Sequence, residues 1–229
     1  MAAVKKSPTI AIIGGTGAEG LGLGFRWAQA GYAVTIGSRT LEKALSRVAE
    51  LNARLSDGKL ALQGKENFAA VQACRLSVLT VPYRAHEATL LELKGALQGK
   101  ILVDVTVPLV PPRVDRVQLP PGRAAGLEAQ ALLGAGVRVV SAFQNISTKH
   151  MRAAERQIDC DVLVCGDDAE ARAEVIRLVQ AAGMSGLHAG PLANAVAIES
   201  LTPVLISLNK HYGVKDAGIR VTGIPRADD

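Results

Sequence analysis

Gly15-Thr16-Gly17-Ala18-Glu19-Gly20 stands directly behind the apolar run Thr9 to Ile13 and ahead of a helix-like stretch, Leu21 to Ala30, closed by Gly31. A G-x-G-x-x-G spacing alone is weak evidence. Between a β-branched run and a helix it has the context that a pyrophosphate cradle requires: the glycines allow a tight turn and close backbone approach, and the helix N-terminus supplies amides and a positive dipole end. These six residues are therefore read as a dinucleotide-binding turn.

A second apolar run, Ala33 to Ile36, leads into Gly37-Ser38-Arg39-Thr40-Leu41-Glu42-Lys43. This is where a dinucleotide fold inspects the adenosine ribose, and NAD-selective sites place Asp or Glu there. Here a hydroxyl, a guanidinium and, four residues on, an ammonium take that place. Arg grips a 2'-phosphate through two charge-assisted hydrogen bonds and Lys adds a point charge, so Ser38, Arg39 and Lys43 predict NADP(H). In the competing reading, Ser38 caps the next helix while Arg39 and Lys43 decorate its solvated face.

Other chemistries find little support. His86, His150, His188 and His211 form no metal-ligand spacing, and no metal site is expected. Of the four, only His86, close behind the fourth strand, belongs near the active edge. Ser141 and Ser200 lack G-x-S-x-G surroundings, which argues against a hydrolase. Asp167 and Asp168 are neighbours in a turn and read as a helix cap and a dipole partner, not a catalytic pair. Cys74, Cys160 and Cys165 read as small core residues. No catalytic acid or base is assigned.

The elements that must position these groups follow from apolar periodicity. Helix Leu41 to Leu55, a short third strand Leu60 to Leu62, helix Glu66 to Gln72, strand Leu76 to Val81, a helix around Glu87 to Leu93, strand Ile101 to Val107, helix Ala124 to Leu133 and strand Val137 to Ser141 complete an alternating pattern. Near-continuous apolar runs fit a parallel sheet covered on both faces. The expected fold is α/β: a Rossmann-type doubly wound parallel sheet over residues 1–145, with a small C-terminal α/β lobe over 146–229. The lobe reads as helix Ile146 to Ile158, strand Asp161 to Cys165, helix Ala169 to Ala182 and a long apolar helix from Asn194 to Asn209. Pro108 to Gly122, with five prolines, is a loop placed over the carboxyl edge of the sheet.

Composition narrows the class. The net charge of +5 comes from scattered basic residues, and aromatics make up only 3%, so nucleic-acid binding is not expected. Each apolar stretch is interrupted before membrane-spanning length and the N-terminus lacks a signal-peptide core, so a cytoplasmic protein with no membrane partner is expected.

The chain resembles the F420-dependent NADP reductases over nearly its whole length. The resemblance rests on Ile13 to Gly17, Gly37-Ser38-Arg39 with Lys43, Leu79-Thr80-Val81-Pro82, Val164-Cys165-Gly166-Asp167-Asp168, Ala189 to Asn194, and Glu199-Ser200-Leu201-Thr202-Pro203. It implies hydride exchange between NADP(H) and the deazaflavin F420 in a homodimer, with the rings meeting in a cleft between a large and a small domain. Thr16, Ser38, Arg39 and Lys43 match the family's phosphate contacts, and Pro82 its contact beside the redox rings. Gln144 stands where the family can carry a His near the deazaflavin. On this basis Thr80 and Pro82 are expected at the nicotinamide, and Gln144, Pro191 and Leu192 on the acceptor side. An NADPH-dependent reductase of a flavin or other small acceptor, and a nonenzymatic NADP-binding sensor or scaffold, are the alternatives.

Overall fold

The computed structural model describes residues 8–152 and 158–225. Strands β1 (Ile10–Ile13), β2 (Val34–Ser38), β3 (Gln63–Glu66), β4 (Leu76–Leu79), β5 (Ile101–Asp104), β6 (Arg138–Ser141), β7 (Asp161–Gly166) and β8 (Ser185–His188) form one sheet in the order β3-β2-β1-β4-β5-β6-β7-β8. Every described pairing is parallel except β6 with β7. Order reverses between β1 and β4, which creates the crevice where open α/β sheets bind ligands. The fold is thus Rossmann-type, extended by a C-terminal lobe whose β7 and β8 continue the sheet.

Helices α1 (Ala18–Gln29), α2 (Leu41–Asn52), α3 (Asn67–Ala73), α4 (His86–Leu97), α5 (Ala125–Leu133), α6 (Thr148–Arg152), α7 (Ala169–Ala181) and α8 (Ala195–Tyr212) cover it. All residues of β1, β2, β4 and β5 are buried, as the apolar runs predict for a doubly covered sheet. One core, containing Ile12, Leu23, Trp27, Ile36, Val140 and Val175, lies under α1, α2 and α7; the other, containing Leu79, Leu90, Leu102, Leu133 and Ile198, lies under α4, α5 and α8. Trp27 packs edge-on to Phe143 at 6.0 Å between ring centroids and donates its indole N–H to the Leu178 carbonyl at 2.8 Å, locking α1 to α7.

Several boundaries differ from the sequence reading. The third strand is the polar Gln63–Glu66, not Leu60 to Leu62; at the sheet edge no apolar run is needed, and the buried Leu62 precedes the strand. The edge strand β8 has no apolar signature beyond Leu187 and went unforeseen. The strands expected to reach Val81 and Val107 end at Leu79 and Asp104, because the chain leaves the ladder at the carboxyl edge. Within the expected helix Ile146 to Ile158, Thr148–Arg152 is helical and residues 153–157 lie outside the described ones. Cys74, Cys160 and Cys165 are buried and unbridged.

Leu192–Tyr212 spans 21 residues and contains an 18-residue stretch of mean hydropathy 1.3, long and apolar enough to cross a membrane by length and composition, although Glu199, Pro203 and Lys210 interrupt it. Its contacts are those of a packed helix instead: Glu199 and Pro203 are buried, Thr202 Oγ1 donates to the Gln144 carbonyl at 2.8 Å, and Lys210 pairs with Asp115 at 2.7 Å. A lipid-exposed span would leave such groups without partners.

Candidate active site

The turn after β1 is built by backbone geometry. Gly14 has φ +68°, and a Cβ there would lie 2.5 Å from Val81 Cγ1. Its N–H donates to Asn67 Oδ1 at 3.1 Å, while the Gly15 N–H donates to the Gly37 carbonyl at 2.9 Å. A Cβ on Gly20 would meet Gly15 Cα at 2.6 Å, so α1 rests directly on the turn. Gly17 is different: nothing lies within 4 Å of its Cβ position. The exposed backbone at Gly17, the half-exposed Thr16 and the first amides of α1 at Ala18, Glu19 and Gly20 form an open cradle, and these first amides have no partner within the helix. A dinucleotide pyrophosphate fits this donor set. Glu19, half-buried at the start of α1, has its carboxyl pushed up to about 8 by desolvation, which weakens its repulsion of an anion in the cradle.

Across the crevice, Ser38 ends β2 as a buried residue whose Oγ accepts from the Thr40 N–H at 3.4 Å. Thr40, not Ser38, occupies the N-cap of α2. Arg39 and Lys43 are exposed, and among the described residues neither forms an ion pair or hydrogen bond. Two unneutralised cations stand over the second strand's end, with no carboxylate at positions 38–41. Two such cations suit a 2'-phosphate, whereas a ribose diol calls for a carboxylate.

The carboxyl edge of β4, β5 and β6 carries a buried polar network. Asp104 ends β5 fully buried: Oδ2 meets His86 Nε2 at 2.7 Å and Oδ1 accepts from the Thr106 N–H at 3.0 Å. Gln144 Nε2 donates to the Asp104 carbonyl at 2.8 Å and to Ser141 Oγ at 2.7 Å. Its Oε1 is buried and has no protein partner, which leaves one acceptor at the edge unused. Phe143, immediately before it, holds φ +75°, an outlier for a fully buried aromatic that costs about 1–3 kcal/mol and turns the chain so that Gln144 lies beside Asp104.

A second part of the network comes from α8. Glu199, buried, accepts from the Ala125 N–H at 2.7 Å and the Gly126 N–H at 3.0 Å, closing the N-terminus of α5 from outside. Tyr83 donates to Glu128 at 2.9 Å and stacks on His86 at 6.1 Å between ring centroids. Burial opposes charge on His86, but the hydrogen bond and charge of Asp104 outweigh it, raising His86 above its ordinary value. Desolvation pushes Glu199 up to about 8.

Both shifts act on stability with one sign. A raised histidine contributes stability that is complete below its unfolded value of 6.5 and lost as pH rises through the folded value. Glu199 holds its proton more tightly when folded, so its contribution is complete below 4.5 and lost as pH rises towards about 8. The melting temperature should therefore fall between pH 6 and 9 by roughly 5 °C more in the parent than in a His86→Gln/Glu199→Gln double variant. Parallel curves would show that neither group titrates between the folded and unfolded states.

The remaining predicted residues are placed as follows. Thr80 Oγ1 donates to the Ile13 carbonyl at 2.9 Å, bridging β4 to the cradle, and the exposed Pro82 starts the short 3-10 turn Tyr83–Ala85. The turn before α8 exposes Pro191 but buries Leu192 in the core, with the Leu192 N–H donating to Asp167 Oδ1 at 2.9 Å. Asp167 thus ties that turn down, and Asp168 caps α7 through the Ala171 N–H at 2.7 Å, as expected. The structure brings the cradle, Ser38-Arg39, Thr80 and Gln144 to one edge of the sheet. Asn67 went unassigned in the sequence; an Asn at the start of a helix directly behind a strand was its only signal.

A family model described as NADP oxidoreductase coenzyme F420-dependent matches residues 9–108. The F420-dependent NADP reductase of Methanothermobacter marburgensis is 39% identical over 221 residues, covering 94% of this chain and 99% of its own. This chain belongs to the F420-dependent NADP reductase family. The enzyme of that name from Methanocaldococcus jannaschii is 37% identical, covering 94% of this chain and 98% of its own. A crystal structure from an Arthrobacter species, named provisionally as an F420-dependent NADP reductase, superposes with a TM-score of 0.80 at 25% identity over 94% of this chain and 99% of that one. Family membership agrees with the cradle and with the cations over β2.

Proposed function

We propose that this chain is an oxidoreductase that transfers a hydride between NADP(H) and the deazaflavin F420. The observation that carries the nucleotide half is the free pair Arg39 and Lys43 beside Ser38, across the crevice from the Gly15–Gly20 cradle. The acceptor half rests on family membership. When bound, NADPH supplies the hydride and F420 takes it up. The chain's own residues bind, orient and exclude water. Thr80 fixes β4 against the first turn, and Gln144 presents its unused Oε1 at the edge. Hydride transfer between stacked rings needs alignment more than proton transfer, which fits an edge whose one His–Asp pair is buried and self-satisfied. His86 and Asp104 are then positioning residues.

Residues 146–229 are proposed to close the acceptor side of the cleft and to contribute to a homodimer. Exposed Val204, Leu208, Tyr212 and Val214 on and beyond α8 support such an interface. Reduced, buried cysteines support a cytoplasmic setting.

Mixing the protein with NADPH and oxidised F420 should bleach F420 absorbance. Reduction of FMN or riboflavin but not F420 would move the acceptor assignment to a flavin. Changing Arg39 to Ala should remove about 2 kcal/mol of charge-assisted binding, a roughly 30-fold weaker Kd for NADPH with NADH little affected. Equal losses for both nucleotides in a fluorescence titration would refute the phosphate assignment.

A further inference from the structure

The loop between β5 and α5, residues 105–124, is the segment that the proposed activity leaves without a task. Its body is braced from within. Gln118 donates to the Val110 carbonyl at 3.3 Å and to the Arg113 carbonyl at 3.2 Å, so one side chain ties three points of the loop together. A tight turn closes each end: the Leu109 N–H donates to the Val107 carbonyl at 2.8 Å, and the Arg123 N–H to the Pro120 carbonyl at 2.8 Å.

Between those turns the body is held weakly. Among the described residues, one polar contact ties residues 109–121 to the rest of the chain, Asp115 with Lys210 of α8 at 2.7 Å. Both side chains stay partly in solvent, and an ion pair of that kind contributes little and breaks readily. A hollow lined by Val107, Pro108, Val117, Leu119, Ser200 and Pro203 separates the loop from α8, so packing does not seal it there either. Val110 and Leu119 are 46% and 55% exposed, large apolar side chains on a segment that leaves the sheet at the active edge.

The roots, by contrast, are fixed. The Thr106 N–H donates to Asp104 Oδ1 at 3.0 Å. At the other root, Glu128 accepts the Gly122 N–H at 3.0 Å and the Tyr83 hydroxyl, from the turn after β4, at 2.9 Å. Next to that clasp Arg123 holds φ +72°, a left-handed conformation for which glycine is the default. Fixed roots, a strained pivot, a braced body and one weak tether are the parts of a hinged lid.

We infer that residues 109–121 form a lid, pivoting at residues 107–109 and at Arg123, which the Asp115–Lys210 pair holds back against α8 and which closes over the carboxyl edge when both redox partners are bound. Val110 and Leu119 supply the differential contact that closure requires: they lose water against the bound rings, whereas on the protein alone they stay half exposed. The inference rests on that edge as the place where the hydride passes. Closure there excludes water from the reacting rings.

Trypsin cleavage after Arg113 and Arg116, both exposed on the lid, reads its position by mass spectrometry. NADP+ with oxidised F420, a pair that cannot react, is the probe for the closed state. Together they should slow cleavage about tenfold, and either alone much less, since proteolysis follows the population of the open form. Lys210→Met and Asp115→Asn should each speed cleavage of the ligand-free protein about threefold, and the double variant no more than either, because all three break the same contact. Val110→Ser/Leu119→Ser should leave the ligand-free rate unchanged and lose most of the protection. Quenching of F420 fluorescence on binding, with cleavage unslowed, would overturn the lid and leave the acceptor reading standing. Absence of both quenching and protection would overturn the two together. Ligand-free protection that grows with protein concentration would mean that a second copy covers these side chains, and would overturn the lid as well.

Discussion

Gly17→Ala should leave the fold as stable as the parent, or more stable by about 0.5 kcal/mol, and yet weaken NADPH binding by roughly 100-fold. Gly17 sits at φ −79° and ψ 171°, a conformation open to any residue, and its Cβ position touches nothing in the protein. A methyl group there costs the protein no contact and trims the unfolded chain's entropy. The face it fills is the one left open for the pyrophosphate. Gly20→Ala, three residues on, should behave differently: its Cβ would lie 2.6 Å from Gly15 Cα and 2.8 Å from the Gly15 carbonyl oxygen, backbone against backbone. That substitution should cost about 2 kcal/mol of stability and distort the cradle, so folding and binding fall together. Thermal melts beside NADPH titrations separate the two cases. A Gly17→Ala protein that binds NADPH normally would show that the dinucleotide does not approach this turn.

The sequence announces the cradle so clearly because its requirements are local. Glycine spacing, a preceding β-branched run and a following helix all lie within twenty residues, and each element pulls towards the same turn. Arg39 and Lys43 are legible for the same reason, since they follow a strand end whose job in this fold is fixed. The polar edge is legible only in part. Asp104 and His86 are 18 positions apart and Gln144 lies 40 beyond Asp104, so their joining depends on β4, β5 and β6 being neighbours in the sheet. No periodicity encodes that. The edge strands β3 and β8 escaped for a related reason: a strand with one free edge and little burial needs no apolar run to hold it. Arg123 is hidden most completely, because only its positive φ distinguishes it from any other loop arginine.

Glu199 ties α8 to the start of α5 through two buried hydrogen bonds. Its two oxygens accept the Ala125 and Gly126 N–H groups, which open α5 directly behind the arginine-bearing loop. A helix N-terminus leaves its first amides without internal partners, and here Ala125 is fully buried, so water cannot replace the carboxyl group. Glu199→Ala therefore strands two buried donors at about 1–3 kcal/mol each and should destabilise the protein by about 3 kcal/mol, lowering the melting temperature by roughly 6–12 °C at this size. Glu199→Gln keeps one acceptor and turns an amide donor towards the other N–H, so it should lose about half as much. The cradle stands at β1 and α1, away from α5, and the NADPH Kd of either variant should remain that of the parent when measured below its melting range. The acceptor side should suffer, because α5 anchors the loop and α8 together: KM for the acceptor should rise several-fold while kcat changes less. A Glu199→Ala protein that melts like the parent would mean that the two amides find other partners. One that loses NADPH affinity and acceptor affinity alike would mean that this contact supports the whole sheet edge, not the acceptor wall alone.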